Sequence, residues 1–209
     1  MTESPTDSET VERLRNEAET ALGELLVGNR RFADGGGQGH SISPARRAEL
    51  LEGQAPRAVV LGCVDSRVPP EIVFDQEVGD LLTVRTAGQS LAGVALGSIE
   101  FGVRALGVPL VVVLGHTGCG AVLAALRDDQ PDGHLGELTG EVADRLVSVV
   151  GRDPVRATGA NLLATVDALR AIDTLVTPEG HPAFVVGALY DMATGLVTVS
   201  DAAGLTSRP

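Results

Sequence analysis

Three side chains in this sequence have types and spacing that could do chemistry together: Cys63, His116 and Cys119. The two cysteines stand 56 positions apart, and His116 precedes Cys119 by three residues within Gly115-His116-Thr117-Gly118-Cys119-Gly120. Thiolate sulfur and imidazole nitrogen are the donors that zinc prefers, at about 2.3 Å and about 2.0–2.1 Å. A His and a Cys three residues apart at a helix start can face one point, and a helix N-terminus favours the thiolate of Cys119. Three protein ligands are one short of a closed structural zinc site; three with an open fourth position is the catalytic pattern. The bland alternatives are a pair of buried small apolar residues or one disulfide, and no CxxC pair announces a metal. The sequence opens on MTESPTDSET, which is polar and acidic and lacks the basic and apolar stretches of a signal peptide, so a structural disulfide is disfavoured and a cytoplasmic location expected. Cysteines set among His and Asp then point to metal binding or catalysis. Asp65 and Arg67 follow the first cysteine closely; taken alone, Asp65-Ser66-Arg67 reads as a loop with a surface ion pair.

Short apolar strands must carry these residues. Ala58 to Leu61 is too brief for a helix and reads as a buried strand that empties into Cys63-Val64-Asp65-Ser66-Arg67, with Pro69-Pro70 preventing further strand. Leu81 to Arg85 reads as a second strand, and Val108 to Leu114 as the strongest one, running into His116. A long amphipathic helix over Glu9 to Asp34 carries Val11, Leu14, Ala18, Leu22 and Leu25 on one stripe and ends in the glycine run Gly35 to Gly39, a flexible turn rather than a phosphate loop. Ser43 and Pro44 start a helix to about Glu52; Ser90 caps another with Leu91, Val94, Ala95, Ile99, Val103 and Leu106 as its stripe. A helix starts at about Ala121, and helical patterns return at 135–150 and 160–176. Pro182 to Leu189 and Leu196 to Ser200 close the chain as strands joined by a turn, so they must be antiparallel. The expected fold is α/β: a mostly parallel central sheet covered by helices, with an antiparallel C-terminal strand and a long N-terminal helix. Residues 1–8 are expected to be disordered and residues 9–209 to form one domain. In such sheets functional groups gather at the carboxyl ends of strands, which places Cys63, Asp65, His116 and Cys119 at one edge if the two strands are neighbours.

Composition narrows the classes of function. The 209 residues carry 16 Lys and Arg against 28 Asp and Glu, a formal charge of −12, and the aromatic side chains are four Phe and one Tyr. Negative charge repels phosphate backbones and so few aromatics give no stacking platform, which excludes nucleic acid as a partner. No apolar run approaches the about 20 residues of a membrane helix. With 44% apolar and 21% charged residues the chain belongs among folded proteins, and its acidic balance serves solubility. His40, His134 and His181 have no partner signature and read as surface or loop histidines, while Gly88, Gly118 and Gly120 are expected to serve backbone geometry.

The segments GCVDSRVPPE, GDLLTVRTAG, SIEFGV and GHTGCGA, in that order, resemble the β-class carbonic anhydrases, and LLVGNRRF with Tyr190-Asp191 and Thr194-Gly195 extends the resemblance over most of residues 20–200. The resemblance implies one zinc ion per subunit held by Cys63, His116 and Cys119, with Asp65 and Arg67 as an ion-paired dyad beside it. It implies attack of zinc-bound hydroxide on the carbon of CO2, giving bicarbonate and a proton. Two thiolates leave a softer Lewis acid than three neutral histidines would, so an acceptor such as Asp65 is valuable to orient the hydroxide, and Arg67 would hold that carboxylate ionised and turned away. Gln54 matches a residue that donates a hydrogen bond to substrate in plant-like members. Leu82 and Ala87 match apolar wall positions, Phe101 stands where Tyr is common, and Gly120 belongs to the same pocket. Wall residues come from a neighbouring subunit in this family, so a homodimer or tetramer is implied.

A subclass of the family closes its site by swinging the aspartate onto zinc, a state that bicarbonate stabilises from a pocket using a Trp three residues before the first cysteine. That position is Val60 here and the chain has no Trp, although Arg85 matches the pocket's arginine. The open, plant-like arrangement is therefore expected, with Asp65 on Arg67. Two other functions stay in view: a CS2 or COS hydrolase on the same fold, and a non-catalytic zinc-binding module, which would need neither the dyad nor Gln54.

Overall fold

The computed structural model describes residues 6–38, 43–147, 153–202 and 205. Five strands make one sheet: β1 (Ala58–Gly62), β2 (Leu81–Arg85), β3 (Leu110–His116), β4 (Phe184–Tyr190) and β5 (Val197–Asp201), in the spatial order β2-β1-β3-β4-β5. The first four run parallel and β5 is antiparallel to β4. Every residue of β1 and β3 is buried, which is why both read as unbroken apolar runs: helices cover both faces of a parallel sheet.

The two-residue strand period divides the core. Val60, Val112 and Val186 face one side, where Ala18, Leu22 and Leu25 of α1 (Asp7–Ala33) pack. Val59, Leu61, Val111, Val113 and Val185 face the other, under Ile99 of α4 (Gly93–Glu100) and Leu162, Val166 and Leu169 of α7 (Pro154–Arg170). A third cluster sits at the carboxyl edge. There Cys63 and Cys119 pack with Val122 of α5 (Gly120–Ala125), Val142 of α6 (Gly133–Arg145), and Ala157.

Two short helices complete the order, α2 (Pro44–Glu49) after the long first helix and α3 (Pro70–Val73) after β1. The first helix docks closely on the second of these: a Cβ on Gly28 would lie 1.9 Å from the Phe74 carbonyl oxygen. Next to it, the buried Asn29 amide donates to the carbonyls of Val73 (3.0 Å) and Gly195 (2.9 Å), and its oxygen accepts from Val197 N–H (2.7 Å). One side chain thus ties α1 to α3 and to the β4–β5 turn.

Several boundaries differ from the expectation. Helix α1 begins at Asp7 and not at Glu9, because Thr6 and Glu9 form a reciprocal capping box; residues 1–5 lie outside the described residues. Ser90 caps nothing. The chain turns through Gly88 (φ 61°) and Gln89 (φ 56°), and α4 starts at Gly93 with Ala92 as its N-cap. Val94, placed on the apolar stripe by its spacing, is 87% exposed, whereas Ala95, Ile99 and Val103 are buried. Helix α7 starts at Pro154, earlier than its apolar repeat, since Asp153 accepts from Val155 N–H and Pro suits the first turn. The helical pattern at 135–150 is seen as α6 ending at Arg145, and residues 148–152 lie outside the described residues, as do Gly39 and His40.

Candidate metal centre

Cys63 directly follows β1, His116 is the last residue of β3, and Cys119 is the N-cap of α5. Strands β1 and β3 are neighbours with Gly62 paired to Leu114, so the three side chains meet at one edge. Their ligating atoms all lie within 4.8 Å of one another, and all three residues are buried. The two sulfurs are 4.0 Å apart. Two thiolates on a tetrahedral zinc, each at about 2.3 Å, would stand about 3.8 Å apart, so the pair needs almost no movement.

The imidazole is prepared for a ligand. His116 Nδ1 lies 3.0 Å from the Thr117 carbonyl oxygen, which can only accept, so Nδ1 carries a proton and Nε2 is turned toward the sulfurs. Nε2 is buried and has no aligned hydrogen-bond partner. A buried nitrogen left without a partner is costly unless something else occupies its lone pair. The donor set and this orphaned atom fit zinc.

Charge in the cluster is shared. The Cys119 thiol, despite the opposing effect of burial, holds the Cys63 thiol well below its ordinary value, helped by His116 and by the N–H groups of Gly88 and Asp65. Cys119 moves the other way, because it faces the Cys63 thiolate and is buried. Without metal the pair therefore holds one thiolate. Burial works against an imidazolium at His116, yet proximity to the Cys63 sulfur carries that group above its ordinary value.

Beside the cluster, Arg67 grips Asp65 in a two-pronged pair, Nε to Oδ1 at 2.9 Å and Nη2 to Oδ2 at 2.6 Å, while Arg67 N–H adds a third bond at 2.9 Å. The Arg67 side chain holds the Asp65 carboxyl far below the usual carboxylate range against the effect of burial. Both carboxylate oxygens face the guanidinium and neither joins the ligand cluster. Arg85, at the end of β2, donates to the carbonyls of Cys63 (2.8 Å) and Asp65 (2.5 Å), and so fastens the loop that bears both. The second loop is fastened by Thr117, whose N–H donates to the Tyr190 carbonyl and whose hydroxyl accepts from Met192 N–H, each at 3.0 Å.

The other expected site residues divide. Ala87 and Gly120 lie next to the cluster, one before Gly88 and one after Cys119; Gly120 has no positive φ and open space where a Cβ would stand, so its geometry demands no glycine, unlike Gly88 and Gly118 (φ 67°). Leu82 and Phe101 line a surface groove with Val94 beyond the edge strand β2, and Leu82 pairs with Val59, well below Cys63. Gln54 is exposed before β1, in a surface hollow with Arg46 and Asp80, so the whole five-residue strand, about 16 Å long, separates it from Cys63. Within one chain these three residues do not reach the centre. The histidines without a signature stay peripheral: His134 pairs with exposed Glu137, and His181 with Asp7. Sequence reasoning missed Gln89, Glu141, Arg145 and Asn161, which pack a polar web behind the cluster. Of these, Asn161 alone left a signal, as a polar residue within the helical repeat that includes Leu162, Val166 and Leu169.

A parallel α/β sheet that delivers two thiols and an imidazole to one point defines a metalloprotein with soft ligands. The family profile for carbonic anhydrase matches residues 58–197. The carbonic anhydrase of Mycolicibacterium smegmatis is 40% identical over 187 residues, covering 83% of this chain and 88% of that protein. Carbonic anhydrase 2 of Mycobacterium tuberculosis is 50% identical over 123 residues, 57% of this chain; the match spans 59% of that relative's length. Among solved structures, a β-carbonic anhydrase of Aspergillus fumigatus superposes with a TM-score of 0.63 at 29% identity, covering 79% of this chain and 83% of the other. The β-carbonic anhydrase of Coccomyxa, at 24% identity, shares the fold with a TM-score of 0.65 over 86% of each chain. The chain belongs to the β-class carbonic anhydrase family.

Proposed function

We propose that this chain catalyses the reversible hydration of CO2 to bicarbonate and a proton, using one zinc ion per chain held by Cys63, His116 and Cys119. The observation that carries the proposal is the convergence of three soft donors within 4.8 Å, one of them an imidazole nitrogen without a partner. Zinc held there would supply a Lewis acid that makes water nucleophilic near neutral pH. The chain's own residues do the rest. Asp65, kept ionised by Arg67, is an acceptor that can orient the attacking water and keep its lone pair aimed at carbon. Arg67 also holds that carboxylate away from the ligands, which is the open arrangement. Arg85 fixes the backbone on which both Cys63 and Asp65 depend.

A homodimer or tetramer completes this reading. Gln54, Leu82 and Phe101 cannot serve the centre of their own chain, so roles for them require a second copy. Phe101, half exposed, and Val94, almost fully exposed, offer the apolar surface for it. The β-carbonic anhydrases of Sordaria macrospora are tetrameric, with a TM-score of 0.67. No described helix is long and apolar enough to cross a membrane; a cytoplasmic site of action is part of the proposal.

Stopped-flow CO2 hydration on preparations with measured zinc tests the proposal. Turnover in proportion to zinc is expected. A zinc-loaded protein without hydration, releasing sulfide from CS2 or COS instead, would move the reading to a hydrolase.

A further inference from the structure

The turn between β4 and β5 has no part in the reaction as described, yet it is bonded along its whole length. Asp191 N–H donates to the Leu196 carbonyl and Gly195 N–H returns to the Asp191 carbonyl, each at 2.8 Å. Asp191 Oδ1 accepts from the N–H groups of Ala193 (2.7 Å) and Thr194 (3.1 Å). At its far end the turn is pinned by Asn29 of α1, 1% exposed, through the Gly195 carbonyl and the Val197 N–H. Between these bonds one N–H is directed away from the turn: that of Met192, which donates to Thr117 Oγ1 at 3.0 Å.

Thr117 stands between two of the candidate ligands, at the point where the sheet stops holding the chain. Strands β3 and β4 pair as far as His116 with Tyr190, and Thr117 N–H adds a last ladder bond to the Tyr190 carbonyl at 3.0 Å. The Thr117 carbonyl is the acceptor for His116 Nδ1, also at 3.0 Å. The same peptide group runs on into Gly118, whose φ is 67°, and a glycine lets a peptide plane turn over at little cost. Gly118 therefore gives the carbonyl no fixed direction, and the restraint must come from the Thr117 side. There the ladder bond holds the backbone and the Met192 bond holds the side chain. The acceptor on a ligating histidine's second nitrogen fixes the ring's tautomer and orientation, and losing such a partner costs about 10- to 100-fold in metal affinity or activity.

We propose that Thr117 is a positioning residue for the metal centre: its hydroxyl, braced by the β4–β5 turn, keeps the Thr117 carbonyl on His116 Nδ1 and so keeps Nε2 aimed at the ion. The proposal rests on the metal site described above and deepens it. It also gives Asp191 and Gly195 a task, which is to close the turn that presents the Met192 N–H.

The test uses the full chain loaded with zinc, and in parallel with Co(II), in wild type, Thr117→Val and Thr117→Ser. Valine keeps the branched shape and loses only the hydroxyl, whereas serine keeps the hydroxyl. In Thr117→Val the cobalt ligand-field bands are expected to shift and zinc affinity to fall about 10-fold in chelator competition. The His116 Nδ1–H is expected to exchange faster with solvent in NMR of nitrogen-labelled histidine, and Thr117→Ser to restore all three readouts. A folded Thr117→Val that matches wild type in spectrum, affinity and exchange, with only a lower melting temperature, would overturn the proposal. Should the valine variant not fold, the zinc-loaded wild type decides: a protected His116 Nδ1–H supports the proposal, and one exchanging as freely as a surface histidine overturns it. Failure of the site reading itself looks different, because the wild type would then show no sulfur-to-cobalt charge-transfer band and the proposal would fall with it.

Discussion

His116 shows how a single residue can be committed to a metal before any metal arrives. Its Nδ1 is spent on the Thr117 carbonyl and its Nε2 faces two sulfurs with no partner. Removing one of three ligands leaves two, so Cys63→Ser or His116→Ala is expected to lose zinc and activity together; a purified variant keeping stoichiometric zinc would refute the ligand set. Asp65→Asn is expected to keep zinc and lose about 100-fold or more in hydration, because an amide presents an N–H where an acceptor is needed. Near-normal turnover would reduce Asp65 to a loop residue. The protons also have a direction. With the Cys63 thiol lowered and the Cys119 thiol raised, the metal-free cluster at neutral pH keeps a proton on Cys119. Zinc must displace that proton, so its uptake is expected to release acid and its affinity to fall as pH falls. Titration of apo-protein in weak buffer with an indicator dye checks this, and pH-independent binding without proton release would contradict it. The Asp65–Arg67 pair behaves oppositely: its carboxyl is depressed, so its stabilisation is complete above the ordinary carboxylate pKa and is lost only in strong acid. That contribution is small, since the Arg67 side chain is 59% exposed.

At the scale of elements, the strands were the legible part, because a parallel strand covered on both faces must be a continuous apolar run. Ala58 to Leu61 and Leu110 to Leu114 declare themselves in that way, and the cysteine and histidine at the strand ends follow from the edge where such sheets gather their chemistry. Capping and turn geometry were less legible. Ser90 looks like an N-cap by type, but its hydroxyl is claimed by Glu141 about fifty residues later, a long-range contact that local pattern does not encode. Val94 fits the helical period and yet faces outward, since α4 covers the edge of the sheet and not its middle. Gln54 and Phe101 carry the family's pattern while lying away from the centre of their own chain, a placement that the order of residues does not reveal. The docking of α1 makes its own prediction. Gly28→Ala is expected to cost about 1–3 kcal/mol, since the obstructing atom is a backbone oxygen that cannot rotate aside. Asn29→Ala leaves two carbonyls and one N–H buried without partners and is expected to cost at least about 2 kcal/mol. Urea unfolding of both variants measures this, and a change below about 0.5 kcal/mol would show that α1 can shift freely.

For the whole molecule, the account joins one centre per chain to an assembly of chains. Sedimentation velocity is expected to give a dimer or larger, and a fully active monomer would remove any role for Gln54, Leu82 and Phe101 at the centre. The central claim is narrower: that zinc at Cys63, His116 and Cys119 makes this chain a catalyst of CO2 hydration. The most direct measurement is stopped-flow CO2 hydration as zinc is titrated into the metal-free protein. The account predicts activity rising linearly and levelling at one zinc per chain, with no rise in Cys63→Ser. Saturation of the site with zinc and no hydration above the buffer rate would contradict it.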